Sequence, residues 1–174
     1  MILESFNEAH EAFLRHMQAK APNGEPFVSF DHPFIYSDEI RYKREVHALA
    51  TNALSLDKWN SYRNETGRIL DVVKEACSSR VSSNLLDHRY GEAGPYKCLY
   101  KVESVEVVKG LERALFHFFL DGRTSRAQFG PRFDSFAEYL REESLGSNWS
   151  FVAYLSFLAD HRRYFPILPT RFED

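Results

Sequence analysis

Cysteine and long apolar runs are both scarce in this sequence of 174 residues. Only Cys77 and Cys98 are present, too few for a disulfide framework, so both thiols are expected to be reduced and buried. A transmembrane helix needs about 20 consecutive apolar residues, and the longest apolar run, 149–159, is much shorter. Residues 1–6 lack the basic flank and apolar stretch of a secretory signal. We therefore expect a cytoplasmic chain with no membrane partner.

Positive charge is not in excess either. The chain holds 22 Lys and Arg against 25 Asp and Glu, which gives a formal net charge of -3. A domain dedicated to nucleic acid usually carries a broad basic field, and this composition excludes one. Contact with DNA or RNA would therefore have to come from a local cluster of basic residues.

The motifs of the common enzyme classes are also missing. The sequence has no phosphate-binding glycine loop, no Gly-x-Gly-x-x-Gly, no Cys-x-x-Cys and no serine in a nucleophile elbow. None of its Asp-His pairs shows the spacing of a helical metal site; they are Asp31-His32, Asp87-His88 and Asp160-His161. We expect no metal and no cofactor, and we favour a non-catalytic role over an enzymatic one.

Aromatic residues and helical periodicity are what the sequence has in abundance. Phe, Tyr and Trp make up 15% of the chain, which favours an aromatic core or an aromatic partner surface. Apolar residues recur every three or four positions, as on one face of a helix. The segments with this pattern are 5–20, 37–54, 65–76, 103–120, 134–141 and 149–159.

The predicted fold is mainly α, a compact bundle of about six helices forming one domain over residues 1–174. Little or no sheet is expected, with only a weak strand signal at 96–102. Residues 121–132 are predicted to form a loop, and the aromatic-rich tail at 164–169 is predicted to be irregular because it contains two prolines.

Two of the predicted helices allow specific expectations about burial. The segment 149–159 is apolar nearly all round and is predicted to be the central helix. Its buried residues are expected to include Trp149, Val152, Leu155 and Phe157. The inward face of the helix at 37–54 is expected to include Tyr42, Val46, Leu49 and Ala53. His117, which lies among phenylalanines, is expected to be a half-buried core histidine.

Arg41 and His47 form the most specific enzymatic pattern, with five residues between them. The pattern resembles the Arg and His motif of the HEPN family of helical ribonucleases. This resemblance implies that Arg41 steadies a phosphate and that His47 acts as acid or base near neutral pH. The alternative is that both residues belong to a solvated helix face.

Basic and aromatic residues alternate in two later segments. The predicted loop carries Arg123, Arg126, Phe129 and Arg132, and a second cluster contains Arg162 and Arg163. In a nucleic-acid site the guanidinium groups would bind phosphates while the Phe ring stacks on a base. The alternative is that the aromatic residues anchor the loop to the core while the arginines stay solvated.

The tail and several upstream segments together resemble a helical module of bacterial restriction and anti-phage defence proteins. The segments are 157–172, Glu39–Lys43, Trp59, Thr66–Ile69 and Asn84–Asp87. In those proteins the module is joined to HNH nuclease or AAA+ motor domains. The resemblance implies a role in recognition or assembly beside a nuclease or ATPase effector. Candidate partner contacts are Tyr164, Phe165, Arg171 and Phe172.

Two functions therefore remain open from the sequence. The favoured one is a non-catalytic recognition or assembly module of a bacterial antiviral defence system, which contacts nucleic acid or a partner effector. The alternative is a small metal-independent ribonuclease or toxin that uses Arg41 and His47.

Overall fold

The structure is a computed structural model that describes residues 2–21, 24–27, 33, 37, 40–82, 85–86, 94–120, 129–146 and 149–164; for residues 2–6, 120 and 149 it describes the backbone only. The chain divides into two compact units, residues 1–45 and 46–174, and the boundary falls within one helix. The prediction of a single domain stays a prediction.

Helices are the dominant element in the part of the chain that the structure describes. Six of them have nine residues or more: α1 (Ile2–Lys20), α2 (Arg41–Leu54), α4 (Arg68–Ala76), α6 (Val105–Leu120), α7 (Phe129–Glu142) and α8 (Trp149–Ala159). Two single-turn helices are α3 (Trp59–Tyr62) and α5 (Ser79–Ser82). The described residues contain no strand, so the predicted mainly α fold is confirmed. The weak strand signal at 96–102 was wrong, because this segment contains a 3-10 turn at Lys97–Leu99.

The first unit contains α1 and the segment that follows it. Gln18 connects the two: its side chain donates a hydrogen bond to the carbonyl oxygen of Glu25 (2.7 Å) and accepts one from the backbone N–H of Phe27 (2.8 Å). The Phe27 ring packs edge-on against Phe13 of α1, with 6.2 Å between ring centroids. The chain thus folds back on the last turns of α1.

The core of the second unit is built around α8. Every residue from Phe151 to Leu158 is buried, which confirms the prediction of a central helix. The side chain of Trp149 lies outside the described residues. Even the polar groups of α8 are satisfied internally, since the Tyr154 hydroxyl donates a hydrogen bond to the carbonyl oxygen of Ala76 (2.9 Å). Burial raises the pKa of this Tyr154 hydroxyl far above its usual range.

The inward face of α2 differs from the predicted one. Val46, Ala50 and Leu54 are buried, at a regular spacing of four residues. Leu49, predicted to face inward, is 55% exposed. Spacings of three and four both fit one helical face, and the sequence alone could not decide between neighbouring stripes.

Helix α7 begins five residues earlier than predicted. Gly130 and Pro131 were expected to belong to a loop, but they lie in the first turn of a helix that starts at Phe129. Proline is tolerated there because the first N–H groups of a helix have no partner within the helix. Phe129 and Arg132 are consequently helical residues, while the rest of the predicted loop, 121–128, lies outside the described residues.

Candidate functional site

Arg41 and His47 both lie on α2, and their contacts are separate. Arg41, in the first unit, is exposed and its Nε lies 3.7 Å from a carboxylate oxygen of Glu45. His47, in the second unit, is half-buried, and its ring lies 4.0 Å from the ring of His161 and 5.4 Å from that of Phe157, centroid to centroid.

The environment of His47 favours the neutral imidazole. Burial lowers the pKa of His47 and the neighbouring His161 lowers it further, while a hydrogen bond to the backbone of Leu158 and the carboxylate of Asp160 oppose the shift. A neutral imidazole at neutral pH can accept a proton. The ribonuclease hypothesis for Arg41 and His47 stays a prediction.

The predicted nucleic-acid residues in the 121–132 segment make contacts within the protein where they are described. Phe129 stacks on Tyr164, with 4.0 Å between centroids and 19° between ring planes. Arg132 donates a hydrogen bond from Nη1 to the carbonyl oxygen of Phe118 (2.8 Å). Arg123 and Arg126 lie outside the described residues. The stack therefore joins a predicted base-stacking residue to a predicted partner-binding one, Tyr164.

The second predicted basic cluster follows α8 directly. Arg162 and Arg163 are both exposed, and Asp160 organises the turn that carries them. Its Oδ1 accepts the backbone N–H of Arg162 (3.1 Å), and its Oδ2 lies 3.2 Å from Nε of Arg163. The remaining candidate partner contacts, Phe165, Arg171 and Phe172, lie outside the described residues.

A basic cleft that the sequence analysis did not identify lies between α6 and the connection from α3 to α4. It has a volume of about 380 Å³. Its lining includes Arg63, Thr66, Lys109, Glu112, Arg113 and His117. Lys109, Arg113 and His117 follow one another at four-residue spacing, so they share one face of α6. Successive members rise by about 6 Å along the helix axis.

Glu112 is the acidic residue of the basic cleft, and its charge is engaged by the backbone. Its side chain is buried, and its two oxygens accept the backbone N–H groups of Gly67 and Leu70, each at 3.0 Å. Both groups belong to the N-terminal turn of α4, where unpaired N–H groups favour a negative charge. Gly67, the N-cap of α4, has φ 93°, a conformation that favours glycine. The carboxylate thus fixes α4 against α6.

The cationic side chains of the basic cleft are held apart from acidic partners. Arg63, Lys109 and Arg113 are exposed, and none has an ion-pair partner within 4 Å among the residues that the structure describes. The guanidinium carbon of Arg63 lies 4.6 Å from the centroid of the Phe116 ring. Phe116 is buried against Trp59, with 6.5 Å between ring centroids, so the guanidinium rests on a fixed aromatic support.

Sequence reasoning missed the basic cleft because its residues come from separate segments. The predicted helix at 103–120 was interpreted only through its apolar face. The polar face of the same helix carries three basic residues at four-residue spacing, from Lys109 to His117, and this pattern was not used. His117 was expected to be a half-buried core residue, and this was wrong: its side chain is exposed and lines the basic cleft.

Comparisons with known proteins do not assign the chain to a family. No family model, no curated protein and no solved structure matches the chain. Within the described residues, His, Cys, Asp and Glu side chains form no group of three or more that could hold a metal ion. No helix in that part of the chain is both long and apolar enough to cross a bilayer.

Proposed function

We propose that this chain is a non-catalytic recognition module that binds nucleic acid by phosphate contacts in the basic cleft. The observation that carries the proposal is the set of three exposed cations, Arg63, Lys109 and Arg113, around one recess, with the only buried carboxylate among its lining residues already engaged by amides. Unpaired cations that converge on a concave site favour a polyanionic ligand.

The charge pattern supports a small number of phosphate contacts. The net charge of the whole chain is -3, so attraction to a polyanion has to come from local clusters of cations such as the basic cleft. Lys109 and Arg113 lie one helical turn apart and offer two contacts on the same helix face. If three cations each neutralise one phosphate, the logarithm of the binding constant should fall with the logarithm of salt concentration with a slope of about -2.1 for single strands.

Binding is tested by fluorescence anisotropy with labelled oligonucleotides at low salt. Lys109→Ala and Arg113→Ala should each weaken binding, whereas Lys101→Ala and Arg141→Ala, which remove exposed cations elsewhere in the second unit, should not. All four changes are at exposed positions and should leave the melting temperature nearly unchanged. Wild-type protein that binds no oligonucleotide at low salt, or equal losses in all four variants, would contradict the proposal.

We further propose that the module works in a bacterial defence system beside a nuclease or ATPase effector. Support comes from the sequence resemblance described above, and the candidate contact residues are those of the tail. The test is co-expression with the products of neighbouring nuclease or ATPase genes, followed by size-exclusion chromatography. Replacing Arg171 and Phe172 by Ala should abolish co-elution; co-elution that is unaffected would rule out the tail as the contact.

The second candidate function is a metal-independent ribonuclease, and the neutral, half-buried imidazole of His47 favours it. A neutral imidazole can act as the general base when RNA is cleaved by its own ribose hydroxyl. The assay is cleavage of a labelled RNA in the presence of a chelator. Cleavage that His47→Gln and Arg41→Ala each abolish would support this function, and intact RNA with wild-type protein would eliminate it.

A further inference from the structure

The volume of the basic cleft and its aromatic residue Phe116 specify the form of nucleic acid that it can bind, which its charge alone does not. We infer that the basic cleft receives one unpaired nucleotide, with its base on the face of the Arg63 guanidinium and its flanking phosphates on Lys109, Arg113 and the N–H edge of Arg63. This inference rests on the proposed function, because it names the form of nucleic acid that the same site selects. It predicts that single strands bind in preference to duplex.

The volume of the recess sets the size of the group that enters it. At about 380 Å³, the basic cleft is at the lower end of the range of small-ligand pockets, about 300 to 1,000 Å³. A recess of this size has room for a single nucleotide. Duplex DNA or RNA presents only its phosphates and groove edges to such a recess, because its bases are paired and stacked.

Arg63 provides the surface on which a base would lie. The guanidinium carbon of Arg63 lies over the ring of Phe116, 4.6 Å from its centroid, and the Arg63 side chain is exposed where it lines the basic cleft. Arginine planes are common stacking partners for unpaired bases. Because Phe116 is buried and contacts Trp59, it holds the guanidinium in place, which reduces the entropy lost when a base stacks on it.

Polar groups for the rest of the nucleotide lie on the same rim. Asn64 and Thr66 both line the basic cleft and are exposed. An amide and a hydroxyl can each donate and accept hydrogen bonds. They follow Arg63 closely in the chain, whereas Lys109 and Arg113 lie on α6. The basic cleft therefore has one wall suited to a base and sugar and another suited to phosphate.

The experiment separates base contacts from phosphate contacts with three labelled ligands of equal length: a single strand, its duplex and an abasic single strand. The single strand should bind most tightly. Arg63→Lys keeps the charge but removes the plane, so it should weaken binding of the base-bearing strand by about 5- to 150-fold, the equivalent of one stacked base. The same variant should leave the abasic strand nearly unaffected. Lys109→Ala should weaken binding of all three ligands.

Competition distinguishes a nucleotide from phosphate alone. A nucleoside monophosphate should displace the labelled strand at lower concentration than inorganic phosphate does, and Arg63→Lys should remove that difference. Melting curves for each variant exclude unfolding as the cause.

The results that would contradict this inference differ from those that would contradict the proposed function. Equal binding of single strand and duplex, or an Arg63→Lys effect of the same size on the abasic strand, would overturn the unpaired-nucleotide inference while leaving phosphate binding in place. Absence of binding to all three ligands at low salt would overturn both.

Discussion

Replacing Glu112 by Ala is expected to destabilise the fold by about 3 to 7 kcal/mol, because it removes a buried carboxylate and leaves two backbone N–H groups without their acceptor. The two hydrogen bonds, from Gly67 and Leu70, are each 3.0 Å long. A hydrogen bond to a charged group contributes about 1.5 to 3 kcal/mol. The favourable position of the carboxylate at the N-terminus of α4 adds about 0.3 to 1 kcal/mol.

Glu112→Gln gives an intermediate test of the same reasoning. The amide keeps one oxygen as an acceptor but places an NH₂ group where the second oxygen accepts a backbone N–H. The loss should therefore be about half of that for Ala. In a protein of this size, the Ala variant should melt about 6 to 28 °C lower. Glu106→Ala, at an exposed position in the first turn of α6, is the matched control.

Urea denaturation followed by circular dichroism measures these differences as shifts of the midpoint at constant slope. The expected order of stability is wild type, then Glu106→Ala, which loses only a helix-dipole interaction of about 0.3 to 1 kcal/mol, then Glu112→Gln, then Glu112→Ala. If both Glu112 variants unfold within about 0.5 kcal/mol of the wild type, a range typical of neutral surface changes, the carboxylate does not hold α4 against α6.

Three further predictions follow from buried groups in the second unit. Leu155→Ala, at a fully buried position of α8, should cost about 2 to 5 kcal/mol in a denaturation experiment, and an unchanged midpoint would refute the central role of α8. Burial raises the pKa of the Cys77 thiol and raises that of Cys98 to about 12, so a thiol reagent at mildly alkaline pH should label neither residue until the protein unfolds. Because the pKa of His47 is lowered in the folded state, the unfolded state binds more protons below pH 6.5, and stability should fall as pH decreases from 6.5 through the folded-state pKa. His47→Gln should flatten this part of the profile, and an identical profile would show that His47 is not its source.

The burial of the central helix α8 was predictable because its apolar residues do not form a single stripe with a polar face opposite. Residues 149–159 are apolar on all sides, and a helix of that kind is stable only inside a core. The stripe on α2 was less certain, since one helix turn accommodates both Leu49 and Ala50 as inward candidates. Only the tertiary packing, which buries Ala50 and exposes Leu49, selects between them.

The basic cleft was not predictable because it depends on contacts between distant residues. Glu112 meets the N–H groups of Gly67 and Leu70 across 45 and 42 positions of sequence, and no local pattern marks a buried carboxylate of this kind. That contact, together with the packing of Arg63 and Trp59 on Phe116, brings Arg63 towards Lys109. The predicted residues Phe129 and Arg132 illustrate the converse: they have the composition of a nucleic-acid loop, but they contact Tyr164 and the Phe118 carbonyl within the protein.

The salt dependence of single-strand binding tests most directly whether the basic cleft binds phosphates. Each neutralised phosphate contributes about -0.7 to the slope of log binding constant against log salt concentration. For three contacts, from Arg63, Lys109 and Arg113, the wild-type slope should be about -2.1. The double variant Lys109→Ala/Arg113→Ala should reduce its magnitude to about 0.7, while Lys101→Ala/Arg141→Ala should leave it unchanged. A slope that is the same in all three proteins would show that the phosphates are bound elsewhere, and phosphate binding in the basic cleft would be contradicted.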